Sequence, residues 1–356
     1  MTTKRHISFP SIEQYRNIVT NINRQANFVG LNEDGDAIYD YNLPKPVLTF
    51  SGSVKLHGTN AGVCYNKAHG LWAQSRENII TPEQDNAGFA FFVESNKDVF
   101  MGLMANIARV NNLGYELDVL GYTMSIYGEW CGGNIQKGVG ITNLPKSFFI
   151  FGVKVSPFPI EGEEKPRAAY WVDYSYLRSP ENRIYNINDY QTWIMDINFN
   201  QPELVQNKLS DLTLAVEAEC PVAKAFGFSG VGEGIVWSCE YKGVVHRFKV
   251  KGDLHAGKSK VKMLSKVDDV KINKAREIAD KVTPTWRLAQ MIEKACDLGN
   301  GGELDRAKLG VYLKMVIDDV VKEDLDILVD AGLEPKDVSK YISEIAKRYF
   351  FDQEKV

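Results

Sequence analysis

The chain has 356 residues, and its content of 44% hydrophobic and 25% charged residues is ordinary for a soluble globular protein with one large or two smaller domains. Its formal net charge of -4 gives no overall nucleic-acid signal, so any anion site has to come from local clustering of cations. The five cysteines are scattered without CxxC or Cys/His ligand spacing, which argues against a disulfide framework or a structural zinc site. The N-terminus leads into no apolar segment of the signal-peptide type, and no run approaches the ~18 apolar residues of a membrane span. We therefore expect a reduced, cytoplasmic protein without membrane association.

The N-terminal part of the chain predicts a helix and then a strand that leads to a lysine. Residues 11–22 contain a serine followed by apolar side chains at helical spacing, which predicts a capped amphipathic helix. Residues 30–46 are polar with Gly, Asp and Pro, and they predict a loop or a short hairpin. The apolar run 47–50 predicts a strand that leads into the octet Ser53-Val54-Lys55-Leu56-His57-Gly58-Thr59-Asn60.

In this octet, Lys55 lies where a strand gives way to a glycine-containing turn. If the segment is extended, Lys55 and His57 point to the same face, because strand side chains alternate with a period of two. An amine and an imidazole on one face can form a nucleophilic site. Taken alone, however, the octet fits a solvated surface lysine beside a turn even better.

The middle of the chain contains several further predicted elements. Short apolar runs predict strands at 61–65, 70–76 and 124–130, a helix at 90–108, and a strand buried on both faces at 147–155. Residues 131–138 are glycine-rich, residues 156–168 should form a loop, and residues 185–214 show no clear pattern. Two strand-like segments, 234–238 and 244–250, are joined by residues 239–243 and predict a β-hairpin.

The second strand of that hairpin carries a row of cations. Alternation places Arg247, Lys249 and Lys251 on one face. The opposite face then carries His246, Phe248 and Val250. Three adjacent cations repel one another unless an anion neutralises them, and a polyphosphate would do so well. An exposed strand face with solvated lysines explains the same pattern equally well.

Two carboxylates occupy strand ends. Glu233 precedes the apolar strand at 234–238, and Glu129 lies near the end of the strand at 124–130. Such a pair suits Mg²⁺, which takes oxygen ligands and often retains waters. Each carboxylate could instead be a charge that protects a sheet edge from aggregation. The sequence contains neither a GxxxxGK[ST] P-loop nor an HExxH zinc motif.

Composition changes after about residue 255. A basic connector carries Lys258, Lys260, Lys262 and Lys266. Beyond it, helical periodicity dominates at 288–296, 309–321 and 338–349. We place a domain boundary near residues 255–268, which predicts an α+β body followed by a smaller all-helical domain.

Six short motifs stand in a characteristic order. They are KLHGTN from Lys55, Arg76, YGEW ending at Trp130, FFIFGVKV ending at Val155, GEGIVW from Gly232 and RFKVKG from Arg247. This series resembles the covalent nucleotidyltransferase superfamily of ligases and capping enzymes. It is most similar to ATP-dependent RNA ligases of the phage RNA ligase 2 family, which includes the kinetoplastid RNA-editing ligases. The first motif decides the branch, because DNA ligases and capping enzymes usually carry Lys-x-Asp-Gly where this chain has a histidine.

The resemblance spans roughly residues 50–255 and implies a fold. It implies an α+β protein with an antiparallel-sheet nucleotidyltransferase (ATP-grasp-like ligase) domain over residues 1–255. Residues 256–356 would form a small helical C-terminal domain that engages RNA. The basic connector would suit phosphate contacts, although a solvated linker would have the same composition.

The resemblance also implies roles for the catalytic residues. Lys55 would attack the α-phosphate of ATP and become lysyl-N-AMP. Lys249 and Lys251 would contact that phosphate and stabilise the charge that develops on it. Nearby cations would favour the neutral, nucleophilic form of the Lys55 amine.

Further residues of the implied site bind the nucleotide and a metal ion. Arg76 would contact the nucleotide and the RNA 5′-phosphate end, Glu129 the ribose, and Phe151 the adenine ring by stacking. Glu233 would serve the metal largely through water, with Glu129 as the second carboxylate. The remaining positions would act through the backbone, at Val54 and Leu56, or in support, at His57 and Asn60.

One position departs from the family pattern. The family often has an acidic residue directly after the stacking aromatic, where this chain has Gly152. The contribution of that carboxylate is therefore either absent from this protein or supplied elsewhere.

The implied function is ATP-dependent ligation of RNA with 3′-OH and 5′-phosphate ends, as in RNA repair. ATP and Mg²⁺ are the expected cofactors, with Mn²⁺ as a substitute. We expect a monomer that acts on nicked duplexes in the cytoplasm, or in the host cytoplasm if the chain is viral. Two alternatives remain: a ligase for DNA or mixed duplexes, and a non-catalytic RNA-binding module on a ligase scaffold.

Overall fold

The computed structural model describes residues 4–158, 167–255, 267–298 and 304–354. The basic connector Lys258–Lys266 and residues 159–166 of the predicted loop lie outside the described residues. In the described part of the chain, no helix combines the length and the apolar character needed to span a membrane.

Helices and strands both contribute to the structure, which confirms the predicted α+β class. In chain order they are α1 (Tyr15–Asn27), β1 (Phe28–Leu31), β2 (Ala37–Tyr39), β3 (Val47–Lys55), β4 (Thr59–Asn66), β5 (Gly70–Ser75), β6 (Ile79–Ile80), α2 (Phe89–Ser95), α3 (Lys97–Val110), α4 (Gly114–Asp118), β7 (Thr123–Cys131), β8 (Ser147–Ser156), β9 (Tyr170–Val172), β10 (Ile184–Asn186), β11 (Thr192–Asn198), α5 (Gln206–Ala218), α6 (Pro221–Ala225), β12 (Gly234–Tyr241), β13 (Val244–Lys251), α7 (Asp269–Val282), α8 (Thr285–Asp297), α9 (Leu309–Glu323), α10 (Leu325–Asp330) and α11 (Pro335–Glu354).

The described residues group into two compact units. The first takes its residues from Met1–Ile18, Thr49–Asp196 and Lys208–Leu264, and the second from Val19–Leu48, Ile197–Asn207 and Ser265–Val356. The second unit therefore contains the C-terminal helices together with two segments from earlier in the chain.

Two sheets dominate the first unit. A seven-stranded sheet has the order β10-β8-β7-β4-β5-β6, with β9 also paired to β8, and a four-stranded sheet has the order β11-β3-β12-β13. Strand β12 pairs antiparallel with both β3 and β13. The larger sheet is antiparallel through β8-β7-β4-β5-β6, whereas β10 joins β8 in parallel. The antiparallel-sheet prediction is confirmed apart from that one pairing.

Strand β8 has an almost continuously apolar sequence because both of its faces are covered. Phe148, Ile150 and Val153 pack into a core that also contains Phe89 and Phe100 of α2 and α3. The opposite face is also covered, so the strand lacks the polar alternation of a half-exposed strand.

The N-terminal helix begins later than its sequence pattern predicts. It starts at Tyr15 rather than directly after Ser11. The Glu13 backbone pairs with β13 instead, because its N–H donates to the Arg247 carbonyl and its own carbonyl accepts from the Lys249 N–H, both at 3.1 Å. Pairing with a strand keeps this segment extended, and Ser11 cannot cap the helix.

The predicted helix at 90–108 is two helices. Asn96 separates α2 from α3 with a non-helical φ of -118° and ψ of 28°. Residues 185–214, which lack a clear pattern, form β11 and the first part of α5 among other elements.

The predicted β-hairpin is confirmed as β12 and β13. Lys242 and Gly243 connect the two strands with positive φ angles of 49° and 73°. Two successive left-handed residues match the right-handed twist of paired strands, as in a type I′ turn.

The C-terminal helices form a core within the second unit. The predicted helices at 288–296, 309–321 and 338–349 are confirmed as α8, α9 and α11, and the sequence interpretation missed α7 and α10. Tyr312, Val316 and Val320 recur every four residues along α9 and are buried together.

Candidate active site

Strand pairing in the four-stranded sheet places two lysines in one row across β3, β12 and β13. Lys55 of β3 lies opposite Gly234 of β12, which lies opposite Lys251 of β13. Because Gly234 has no side chain, it leaves the space between the two lysines open. A Cβ there would overlap the Val250 carbonyl oxygen, and its φ of +148° also favours glycine.

Glu233 connects the two lysines. Its Oε2 lies 2.7 Å from Lys55 Nζ, and its Oε1 lies 2.6 Å from Lys251 Nζ. His57 Nδ1 is 3.3 Å from the same Oε2. The Glu233 side chain is only 2% exposed, whereas those of Lys55 and Lys251 are 19% and 25% exposed. One buried carboxylate is therefore shared by two lysines that border solvent.

The protonation of Glu233 follows from these contacts. Burial by itself raises the pKa of the carboxyl group, but the hydrogen bond from His57 and the charges and hydrogen bonds of Lys55 and Lys251 outweigh it. The pKa of Glu233 is thereby held well below its usual range. Glu233 is an anion throughout the physiological pH range.

Glu129 lies in the same site but has fewer polar partners than Glu233. Its Oε1 accepts a hydrogen bond of 2.9 Å from the Gly58 backbone N–H. Burial raises the pKa of Glu129 to about 6, and the Lys55 charge and the Gly58 hydrogen bond offset it only in part. A carboxyl group of this kind exchanges a proton near neutral pH.

Gly58 is required sterically at this position. A Cβ on Gly58 would come within 2.6 Å of Cys131 Cβ and still closer to the Trp130 carbonyl oxygen. The turn after β3 can therefore approach β7 closely only without a side chain, and this approach brings the Gly58 N–H to Glu129.

A cavity of about 720 Å³ opens between the two sheets of the first unit. Nine of the eleven residues predicted for the site line it: Val54, Lys55, Leu56, Asn60, Arg76, Glu129, Phe151, Lys249 and Lys251. Of the other two, Glu233 joins the site through its ion pair with Lys55, and His57 joins it through its contact with Glu233. The structure thus brings together all of the residues that the sequence motifs single out, and their individual roles stay predictions.

The predicted row of cations on β13 is confirmed. Arg247, Lys249 and Lys251 all line the cavity, while Phe248 and Val250 are buried on the opposite face. Burial lowers the pKa of Lys249, and the positive charges of Lys251, Lys55 and Arg76 lower it further. This end of the cavity is a cluster of cations, which suits an anionic ligand such as a polyphosphate.

Aromatic rings form the wall farther along the cavity. The Phe9 ring lies edge-on to those of Phe151 and Trp171, with centroids 5.0 and 5.4 Å away. The Arg247 guanidinium carbon lies 3.9 Å from the Trp171 ring centroid. We call Phe9, Phe151, Trp171 and Arg247 the ring end. The sequence interpretation missed Phe9 and Trp171, because both lie in segments without strand or motif patterns.

The ring end also accounts for Gly152. A Cβ on this glycine would lie 3.2 Å from the Trp171 ring and 3.5 Å from the Phe9 ring. The register between β7 and β8 shifts at this point, since Tyr127 faces Gly152 and Gly128 faces Ile150. Phe151 therefore occupies a bulge, which turns its ring into the cavity. In this protein, the Trp171 and Phe9 rings border the space that a side chain at position 152 would enter.

His255 is a further residue that the sequence patterns did not identify. Its ring centroid lies 5.2 Å from that of His57, and its buried Nδ1 has no hydrogen-bond partner. Burial lowers the pKa of His255, and the neighbouring His57 acts in the same direction. No short motif surrounds His255 in the sequence, so no local signal marked it.

The site offers few metal ligands of its own. Among the described residues, no group of three or more His, Cys, Asp or Glu side chains is placed to hold a metal ion. Glu233 and Glu129 could provide one oxygen ligand each. Mg²⁺ commonly binds through one or two carboxylates, several waters and substrate phosphates, so the residues present fit a metal that arrives with a nucleotide.

More than half of the chain matches a known protein family. The family model described as RNA ligase matches residues 49–251. No curated protein shows significant sequence similarity to the chain. Similar solved structures include the Naegleria gruberi RNA ligase with pyrophosphate, at 15% identity and a TM-score of 0.35 over 72% of this chain and 59% of that one.

Two variants of the same Naegleria gruberi ligase are also similar. One, with AMP and manganese, has 15% identity and a TM-score of 0.39 over 71% of this chain and 58% of that one. The other, with ATP and manganese, has 14% identity and a TM-score of 0.37 over the same shares of the two chains. The alignments thus span less than two thirds of the Naegleria gruberi chains.

Proposed function

The chain belongs to the RNA ligase family, and we propose that it is an ATP-dependent ligase that joins 3′-OH and 5′-phosphate RNA ends. The observation that carries this proposal is the Lys55–Glu233–Lys251 arrangement at the wall of a cationic and aromatic cavity. The octet around Lys55 supports assignment to the phage RNA ligase 2 branch of the family.

In the proposed first step, Lys55 Nζ attacks the α-phosphorus of ATP. A P–N bond forms, the bond to the β-phosphate oxygen breaks, and pyrophosphate leaves. Lys249 and Lys251 stabilise the negative charge on the phosphoryl oxygens. AMP then passes to the 5′-phosphate of the RNA, and attack by the 3′-OH releases AMP and seals the strand.

The ion pair between Lys55 and Glu233 has a consequence for the first step. An amine held by a carboxylate is an ammonium, which has no lone pair for attack. Lys55 can attack only after its contact with Glu233 has been released and the amine has given up a proton. Glu233 would therefore act as a partner that holds Lys55 at rest and exchanges it for another cation when the nucleotide binds.

A divalent metal ion is the natural cation for that exchange. Glu233 and Glu129 would hold Mg²⁺ or Mn²⁺, with waters and the ATP phosphates completing its ligands. When bound, the metal supplies Lewis-acid stabilisation of charge on the phosphates.

The remaining assignments of the proposal concern recognition. Phe151 stacks on adenine, Glu129 binds the ribose, and Arg76 contacts the 5′-phosphate end. Val54, Leu56, His57 and Asn60 support the nucleotide. The proposed substrate is nicked duplex RNA, bound with help from the C-terminal helices and sealed by a monomer in the cytoplasm.

Incubation with ATP labelled at the α-phosphate and with Mg²⁺ tests the nucleophile. We expect one protein-bound AMP that is labile in acid and stable in alkali, as a P–N bond requires. Lys55→Ala should abolish the label. Lys67→Ala should retain it, because Lys67 is 61% exposed and pairs with Asp118 outside the cavity.

Sealing assays with matched RNA, DNA and mixed nicks test the substrate. We expect joining to be fastest on the all-RNA nick. Preference for a DNA 3′-OH end would instead support a DNA or mixed-duplex ligase. Absence of any protein–AMP adduct, or an adduct that survives Lys55→Ala, would refute the assigned chemistry.

A further inference from the structure

Arg247 differs from Lys55 and Lys251, two other cations of the cavity. Burial lowers its pKa to about 10, so the guanidinium stays charged at neutral pH. Within the part of the chain that the structure describes, Tyr174 is the one other group that shifts this pKa, and no carboxylate pairs with the guanidinium. Lys55 and Lys251, in contrast, share Glu233. Arg247 thus presents donors to the cavity without an anionic partner.

Aromatic rings hold Arg247 in place. Its guanidinium carbon lies 3.9 Å from the Trp171 centroid and 5.3 Å from the Phe9 centroid. Cation–π contact and ring stacking restrict a side chain that would otherwise sample many rotamers. Trp171 can occupy this position because Gly152 leaves the space for it. The guanidinium of Arg247 is therefore a donor group that aromatic rings hold beside the cavity.

The strand register places Arg247 at a distance from the reacting phosphate. Four residues of extended chain separate it from Lys251, which amounts to ~13 Å. The pairing supports the same order, since Lys55 and Lys251 share one row, whereas Ser51, Ser238 and Arg247 share another. A nucleotide with its α-phosphate at Lys55 and its ring against Phe151 would extend toward Arg247.

We propose that Arg247, held on Trp171, recognises the base of the nucleotide by donating a hydrogen bond to a ring nitrogen of adenine. This inference rests on the proposed function, because it takes the cavity to be the ATP site. The guanidinium carries donors and no acceptor, so it pairs with N1, N3 or N7 and not with the exocyclic amine. Arg247 is then a specificity residue, while Lys249 and Lys251 serve the phosphates.

The test compares ATP with its 1-deaza, 3-deaza and 7-deaza analogues in the adenylylation step. Each analogue replaces one acceptor nitrogen by C–H and leaves the phosphates unchanged. For the wild-type protein, we expect kcat/KM to fall about 10- to 100-fold with one analogue, the usual effect of losing a hydrogen bond from a charged donor. In Arg247→Met, which keeps the apolar stem on Trp171, that penalty should shrink to about the level of experimental error.

Lys154→Met provides the matched control. Lys154 Nζ lies 5.7 Å from the centroid of the same Trp171 ring but is not part of the cavity wall. The substitution removes a cation from the Trp171 ring while Arg247 stays in place, so the loss of kcat/KM with the deaza analogue should persist. Loss of the penalty in Lys154→Met as well would show that the ring rather than Arg247 is responsible, and it would overturn the proposal.

Other outcomes are equally decisive. The proposal fails if the wild-type protein uses all three analogues as well as ATP, or if Arg247→Met keeps the same penalty. If Arg247→Met does not fold, Arg247→Lys gives the readout, because it keeps one donor and loses the planar fork, and the penalty should then decrease in part. An unchanged penalty in that variant also contradicts the proposal. Failure of the wild-type protein to form any AMP adduct would instead refute the proposed function.

Discussion

Two carboxylates, the buried Glu233 and the half-buried Glu129, lie in one site and differ in their electrostatics. The region around Glu233 contains Lys55, Lys251 and His57, all within 3.3 Å of its oxygens. The region around Glu129 contributes a single backbone N–H, from Gly58. The pKa of Glu233 is accordingly held well below the usual range, whereas that of Glu129 rises to about 6.

The difference teaches that burial alone does not decide the charge of a carboxylate. Desolvation raises the pKa of both carboxyl groups and is the largest single influence on each pKa. Cationic donors overcome it at Glu233 and do not at Glu129. One carboxylate is therefore a permanent anion that can hold lysines or a metal ion, and the other is a group that can gain or lose a proton near pH 6.

Removal of the charge from Glu233 should have the largest effect. Glu233→Gln leaves Lys55 and Lys251 without their shared anion, and water compensates only in part because both lysines are three-quarters or more buried. We expect the free energy of unfolding to fall by about 3 kcal/mol. Protein–AMP formation should slow ~100-fold or more. Urea denaturation and the initial rate of labelling measure the two effects.

Glu240→Gln is the control for this variant. Glu240 lines the same cavity from β12, but its side chain is exposed and pairs with no lysine of the described residues. We expect a change of no more than about 0.5 kcal/mol. Equal effects of the two substitutions would mean that the Glu233 contacts contribute nothing specific.

Gly58→Ala should weaken the Glu129 region through sterics. The added Cβ would collide with the Trp130 carbonyl and Cys131, so the turn must shift and its N–H must move away from Glu129. We expect a loss of about 1–3 kcal/mol, the usual cost of overpacking. Thermal unfolding monitored by circular dichroism measures it.

A second glycine-to-alanine change separates this clash from general effects. Gly102→Ala adds a Cβ in open space within α3, where alanine should be neutral or slightly stabilising. Equal melting temperatures for wild type and Gly58→Ala would contradict the packing argument.

The last expected effect is a pH dependence due to Glu129. In the unfolded chain this group titrates near pH ~4.3, and in the folded protein near about 6. Between these values the folded state binds more protons, so the contribution of Glu129 to stability decreases as pH rises. From pH 4.5 to 7 it should decrease by roughly 2 kcal/mol.

Comparison with Glu129→Gln isolates this contribution. Subtracting the stability profile of the variant from that of the wild type removes the titration of the other groups. Glu233 should add no slope in this window, since its depressed pKa means that its stabilising contribution is lost only when pH falls below about 4. A flat difference profile from pH 4.5 to 7 would show that the two carboxylates do not differ as described.

Much of the local structure could be predicted from the sequence. The alternation of β13, the hairpin with β12 and the strand before Lys55 follow from periodicity, which depends on residues close together in the chain. Helix boundaries were predicted less well. Asn96 interrupts one predicted helix, and strand pairing of Glu13 delays another.

The sequence by itself determined which faces of the strands carry cations, carboxylates and apolar side chains, because alternation is a local property. Only the tertiary structure decided which strands are neighbours. Pairing of β3 with β12 brings Lys55 to Glu233, 178 residues away in the chain. The same holds for the ring end, where Phe9, Phe151, Trp171 and Arg247 meet across four separate segments. A sequence pattern specifies the face of a side chain, but register and topology specify its partner.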